Sequence, residues 1–205
     1  MFNQFNGFIM KTMASLAASA AILAGGYSAT AGEWKEDASH STIGFSAKHM
    51  VISNVNGKFN DYSINVKSDK PDFSDAKIDV RIKATSINTE NDRRDNHLRN
   101  DDFFAADKFP EISFVSSSMK KLKGNKYKVT GNLTMRGITK QVTFDAELGG
   151  VVKDPWGNHR AGFTLTGSIN RFDYGLKWND MIEAGGLVVG ETIKIACEVE
   201  LLKKS

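Results

Sequence analysis

Apolar and polar residues alternate along most of this chain. In Thr42–His49, Ile43, Phe45 and Ala47 fall on one side and Gly44, Ser46 and Lys48 on the other, the period of a half-buried strand. The pattern breaks at Met50–Val55, and Asn56-Gly57 reads as a turn,. Lys58–Ser68 resumes it with Phe59, Tyr62, Ile64 and Val66, and the change of phase between Phe59 and Tyr62 predicts a bulge,. A loop over Lys67–Ser74 leads to Asp75–Ile87, where Ile78, Val80, Ile82 and Ala84 face one way. Further strands are predicted from Ile112 to a Lys-rich turn at Met119–Asn125, over Tyr127–Met135, over Ile138–Gly149 after a tight turn at Arg136-Gly137, over Arg160–Phe172 and over Glu191–Leu202. Val151–His159 reads as a turn-rich loop and Asp173–Gly190 as a long irregular segment.

Eight such strands joined by hairpin-length or moderate loops predict an antiparallel sheet. Their length and pairwise order favour closure into an all-β barrel over a sandwich, and closure also removes exposed edges. One helical insertion is expected between the third and fourth strands. It lies in Thr89–Phe114, TENDRRDNHLRNDDFFAADKFPEISF, where alternation stops and charge crowds in. Thr89 or Asn91 can cap the helix, Asp92 suits its first turn, and Asp95 and Arg99 are spaced to pair. Leu98 is the only large apolar residue between Asn91 and Asp102. A short helix this polar is marginal alone, so it is expected to cover one end of the barrel, with Phe103, Phe104 and Phe109 plugging or lining that end.

The inward face mixes large residues (Phe45, Phe59, Phe114, Phe144, Phe163) with small ones (Ala47, Ala84, Ser116, Gly131, Ala146, Gly167). Small positions facing one another would leave room for a thin apolar guest. The alternative is large–small interdigitation in a filled core. An eight-stranded barrel is of a size that permits either.

Composition narrows the class. Met10-Lys11, the small apolar run Met13–Ala24 and Ala29-Thr30-Ala31 form a signal peptide over residues 1–31, with Met10 the natural start,. The remainder, 32–205, is one domain, periplasmic or secreted after cleavage. A formal net charge of +3 calls for neither nucleic acid nor an anionic membrane,. The single Cys197 rules out an internal disulfide and sits in an apolar alternation, as an inert buried thiol does,.

Candidate chemistry is sparse. His40, His49, His97 and His159 share no metal-ligand spacing,, so neither metal nor cofactor is expected. Asp101, Asp102, Asp107 and Glu111 could be read as acid–base carboxylates, but the stretch is polar and no nucleophile–base order accompanies it,. Arg93, Arg94 and Arg99, with Arg171 from another strand end, could meet an anionic head at a barrel mouth,. A solvated helix face is the competing reading.

Several stretches carry a known pattern: DASHSTIGFSAKHM (Asp37–Met50), VNGKF (Val55–Phe59), INTENDRRDNHLRNDDFF (Ile87–Phe104), FPEISFVSS (Phe109–Ser117), VTGNLTMRGITKQVTF (Val129–Phe144), PWGNHRAGF (Pro155–Phe163) and INRFDYGLKW (Ile169–Trp178). In these the chain resembles the YceI-like family of exported, lipocalin-like, polyisoprenoid-binding proteins. The resemblance implies an eight-stranded antiparallel barrel with a helix, a long apolar cavity for a polyisoprenoid, quinone or fatty-acid-like amphiphile, and often a homodimer. It implies a binding protein, with transient contact to a membrane or membrane protein compatible with that role. Phe45, Phe59, Phe114, Phe144, Phe163 and Trp178 are then the expected cavity lining, and His49, Arg94 and Arg171 the expected polar end. The alternatives are a small exported hydrolase using Asp101–Glu111, or a filled-barrel interaction protein.

Overall fold

A computed structural model describes residues 32–181 and 187–204. The expected signal peptide over residues 1–31 lies outside them, as do residues 182–186 of the expected irregular segment. The strands are β1 (Gly32–Glu36), β2 (Thr42–His49), β3 (Ser53–Phe59), β4 (Tyr62–Ser68), β5 (Lys77–Lys83), β6 (Ile87–Asn88), β7 (Glu111–Lys121), β8 (Lys126–Met135), β9 (Ile138–Lys153), β10 (His159–Asn170) and β11 (Val189–Lys203). The helix α1 spans Asp92–Arg99.

Eleven segments build eight long strands. β1 and β2 lie end to end along β11, opposite Leu201 to Lys203 and Val189 to Glu198 respectively. β3 and β4 continue each other against β2 and β1, and β6 and β5 do so against β3 and β4. The breaks within these strands bend them, which a closed, tilted sheet requires. All pairings are antiparallel, and the ring closes where β11 meets β1 and β2. The chain thus forms a closed eight-stranded antiparallel barrel with one α-helix among the described residues.

Alternation places Ile64, Val66, Ile82, Ile112, Phe114, Val129, Leu133 and Phe144 in the buried core. The outer face carries charge, with Arg81 bonded to Asp79 and Glu111 and Lys83 to Asp61. Exposed ion pairs of this kind stabilise little. They do fix the sense of the barrel: apolar inside and charged outside, the reverse of a barrel that faces lipid with its strands.

Two local expectations change. Asn56-Gly57 is not the turn; both residues lie in β3. The hairpin turns at Met50 and Val51, whose φ angles are +49° and +67°, with Ile52 N–H donating to His49 O at 3.2 Å. Gly57 is needed because the Phe45 ring lies across it: a Cβ there would stand 2.3 Å from Phe45 Cζ. The first strand begins earlier than predicted, with Trp34 of β1 fully buried. Arg136-Gly137 does turn as expected, with both residues at positive φ.

Candidate functional site

The barrel encloses an apolar cavity of about 170 Å³. Its lining draws on β2 to β5 and β7 to β11, and contains no charged side chain and no hydroxyl, amide or ring nitrogen. Phe45, Phe59, Phe114, Phe144 and Phe163 all line it. A second chamber of about 100 Å³ adjoins it and shares Phe45, Phe59, Met135, Ile169 and Ile195. Phe45 and Phe59, 5.7 Å apart, form the partition. Leu98, the one large apolar side chain of α1, forms part of the second chamber with Phe103 and Phe104.

The small inward positions do not simply leave space. A Cβ on Gly131 would meet Phe114 Cζ at 2.6 Å, and one on Gly167 would meet Phe144 Cδ1 at 2.5 Å. These glycines, like Gly57, seat phenylalanine rings against the wall, so large–small interdigitation and an open axis coexist. A cavity with such a lining offers water none of the polar partners it needs,.

The end towards which β4, β7 and β9 run is closed by rings. Residues 69–76 fold across it, and Phe73, fully buried, lies 5.2 Å from both Trp34 and Phe163. Asp75 organises this loop by accepting from Ser68 Oγ at 2.7 Å and from the N–H groups of Asp69 and Lys70. Tyr127, also fully buried, donates to Asp72 O at 2.6 Å. Sequence reasoning left Phe73 in a loop. A large apolar residue between turn formers, as in KPDFS, is the signal that could have found it.

The α1 end is closed differently. β6 pairs with β3 but not with β7, so the β5–β6 edge loses its sheet partner beyond Ala84, whose N–H donates to Pro110 O at 2.8 Å. Arginines satisfy the orphaned carbonyls, as buried backbone requires. Arg99 donates to Thr85 O and Ile87 O at 2.8 and 3.0 Å, and Arg94 to Thr89 O at 2.8 Å and Thr89 Oγ1 at 2.7 Å. Arg136 bridges Phe103 O and Gly175 O. Arg171, buried, donates to the carbonyls of Leu176, Trp178, Val189 and Gly190. The five donors of a guanidinium suit this task. Burial holds the Arg171 pKa below its ordinary value, yet it remains far above neutrality as arginines do.

Asn91 caps α1 by accepting from Arg94 N–H at 2.9 Å. Asp95 does not pair with Arg99; it is buried and accepts from Thr89 N–H and Oγ1 at 2.9 and 2.5 Å. The expected polar end is therefore redistributed. Arg94 and Arg171 reach the right end of the barrel, but their guanidinium groups hold backbone, and Arg93 is exposed. Arg171 still borders the second chamber, whereas Arg94 does not. Trp178 lines neither chamber; it packs edge-on against His97 at 5.0 Å and lies 5.4 Å from Phe103. His49 stands two residues beyond Ala47, which lines the second chamber, so alternation puts both on one face,. It is half-buried and makes no side-chain hydrogen bond among the described residues.

No carboxylate of the Asp101–Glu111 stretch lines a chamber. Asp101 pairs with Lys108, Asp102 with His97 and Glu111 with Arg81, all at the surface. Asp37, His40 and Glu200 come within reach of one another as metal ligands could. Arg160, however, donates to Asp37 at 2.7 Å, to Asp154 at 2.8 Å and to Glu200. Hydrogen bonds from Ser39, His40 and Arg160 hold the Asp37 carboxyl well below its ordinary range. Burial pushes the Cys197 thiol, which lines the main cavity, up to about 11, leaving it protonated and unreactive,.

The model of the YceI-like domain family matches residues 34–201. A UPF0312 protein of Staphylococcus aureus (strain MSSA476) is 41% identical over 165 residues, covering 80% of this chain and 94% of its own. The crystal structure of the Campylobacter jejuni YceI protein superposes with a TM-score of 0.67 at 41% identity, covering 77% of this chain and 90% of that one. A polyisoprenoid-binding domain from Saccharophagus degradans shares the fold at 16% identity, with a TM-score of 0.63 over 83% of this chain and 98% of that one.

Proposed function

The chain belongs to the YceI-like family, and from that premise we propose that it is an exported binding protein for a long-chain amphiphile. The observation that carries this reading is the lining of the main cavity, which offers nothing but apolar groups along the barrel axis. Such a surface recognises a tail by burial, which contributes about 0.8 kcal/mol per methylene before ordering costs. The tail runs from Phe73 towards α1. Because Phe45 and Phe59 divide the two chambers, a tail reaching both turns these rings aside. The head group rests near His49, a half-buried side chain that makes no hydrogen bond among the described residues. Polyisoprenoids, quinones and fatty-acid-like molecules all fit this division of labour.

Export rests on the basic, apolar and small-residue pattern of residues 10–31,. N-terminal sequencing of the mature protein tests it: a start at Gly32 is expected, and an intact Met1 or Met10 terminus contradicts it.

Binding is tested by melting curves with and without prenyl and fatty amphiphiles, because a ligand that binds only the folded state raises the melting temperature. The wild type is expected to respond and Ala146→Phe, which fills the main cavity from its wall, to respond much less. An unchanged melting temperature for the wild type with every amphiphile contradicts the reading.

A further inference from the structure

The β2–β3 hairpin ends in three consecutive apolar residues. Met50 and Val51 turn the chain at positive φ, and Val51 and Ile52 are 62% and 84% exposed. A β-branched residue at positive φ is strained, and among the described residues nothing covers the Val51 and Ile52 side chains in return. Strain and exposure coinciding at one tip point to a task outside the chain. The neighbouring segment extends the apolar surface. Met50 N–H donates to Val188 O at 2.9 Å, and Met181, bridged to Leu187, is 78% exposed.

Two features choose the occupant. The first is charge: from Ser46 to Lys58 the hairpin carries Lys48 and Lys58 and no acidic residue, and among the described residues both lysines are exposed without an ionic partner. On its own hairpin the apolar tip has only cations behind it, which complements the interface of a lipid bilayer bearing anionic head groups. The second is continuity. Two residues behind His49 on the same strand, Ala47 lines the second chamber, and so does Val189, the partner of His49 in the sheet.

We propose that the Met50–Ile52 tip docks the barrel on an anionic lipid surface, with its α1 end against the membrane. The tip seats its apolar side chains among the acyl chains while Lys48, two residues behind Met50, stays at the head groups, as long cationic side chains do. Docking stands on the tip itself. The purpose it would serve, direct exchange of a guest between bilayer and barrel, rests on the proposed function.

The test is co-flotation of the mature protein with vesicles of phosphatidylcholine alone and of phosphatidylcholine with phosphatidylglycerol. Wild type is expected to float with the anionic vesicles and to be released by salt, and Ile52→Glu to partition about tenfold less. Lys48→Gln is expected to weaken only the anionic preference. In parallel, each variant is given a prenyl amphiphile dispersed without vesicles. Retained uptake by a non-floating Ile52→Glu shows that docking and guest binding are separable, and loss of uptake by a floating wild type would sink the binding reading alone. Wild type that floats with neither vesicle, or Ile52→Glu that floats like wild type, overturns the docking proposal. A concentration-dependent dimer that Ile52→Glu abolishes, with no flotation of the wild type, overturns it in favour of a second copy as the occupant.

Discussion

At the Phe73 end, fully buried rings fill the barrel; at the α1 end, arginines hold loops over an apolar chamber. The first closure is side-chain packing, which is lost only by creating a void. The second is a set of hydrogen bonds from Arg94, Arg99, Arg136 and Arg171 to backbone carbonyls that no strand reaches. Such bonds exchange readily with water once a loop lifts, whereas a packed ring has no partner in water. On the proposed function the difference makes the Phe73 end the floor and the α1 end the cover, with Leu98 as the side chain over the second chamber.

Breaking the cover at its hub has the largest expected effect. Arg171→Met takes the guanidinium donor from the carbonyls of Leu176, Trp178 and Gly190, while Val189 O keeps Asn179, and is expected to cost about 5 kcal/mol. Chemical denaturation measures this, and a loss below about 1 kcal/mol contradicts the clamp. Phe73→Ala is next, at about 4 kcal/mol for a ring removed from a packed site. Guest release is expected to keep its wild-type rate, because the floor is not the exit; faster release from this variant would reverse the assignment of ends.

Arg160→Gln sharpens the comparison on the outside of the wall. Its partners Asp37 and Asp154 both have depressed pKa values, Asp37 through Ser39, His40 and Arg160, and Asp154 because hydrogen bonds from Arg160 and Asn158 outweigh its burial. A carboxylate depressed on folding stabilises fully above its unfolded pKa of about 3.9 and loses that contribution as pH falls. The variant should therefore melt below the wild type at about pH 6, with the gap narrowing below about pH 4. A gap independent of pH contradicts this. Leu98→Ala has the smallest effect on stability, about 1 kcal/mol for a half-buried side chain, but is expected to speed guest release measurably. Unchanged release would mean α1 is not the cover.

The barrel was legible in the sequence because each long strand keeps its period over a curved wall with one apolar face. The breaks were partly legible: the slip between Phe59 and Tyr62 is the junction of β3 and β4. Asn56-Gly57 misled because local turn chemistry cannot show that a ring from Phe45 lies over Gly57, while the real turn uses Met50 and Val51, which favour strands. The cavity-facing phenylalanines followed from alternation alone. The polar end did not, because an arginine bound to a carbonyl leaves no spacing in the sequence; its partner is backbone. Arg94 and Arg171 looked like head-group ligands for the same reason that makes them good clamps, a surplus of donors.

The most direct test of the account is native mass spectrometry of the mature protein purified without detergent, followed by organic extraction, for wild type and Phe144→Asp. The account predicts a discrete added mass on the wild type that extracts as a molecule with a long apolar tail, and its absence from a folded Phe144→Asp, whose carboxylate would face the main cavity. A wild type of bare mass that stays bare after incubation with prenyl and fatty amphiphiles would contradict it, and so would a folded Phe144→Asp that keeps the full complement of guest.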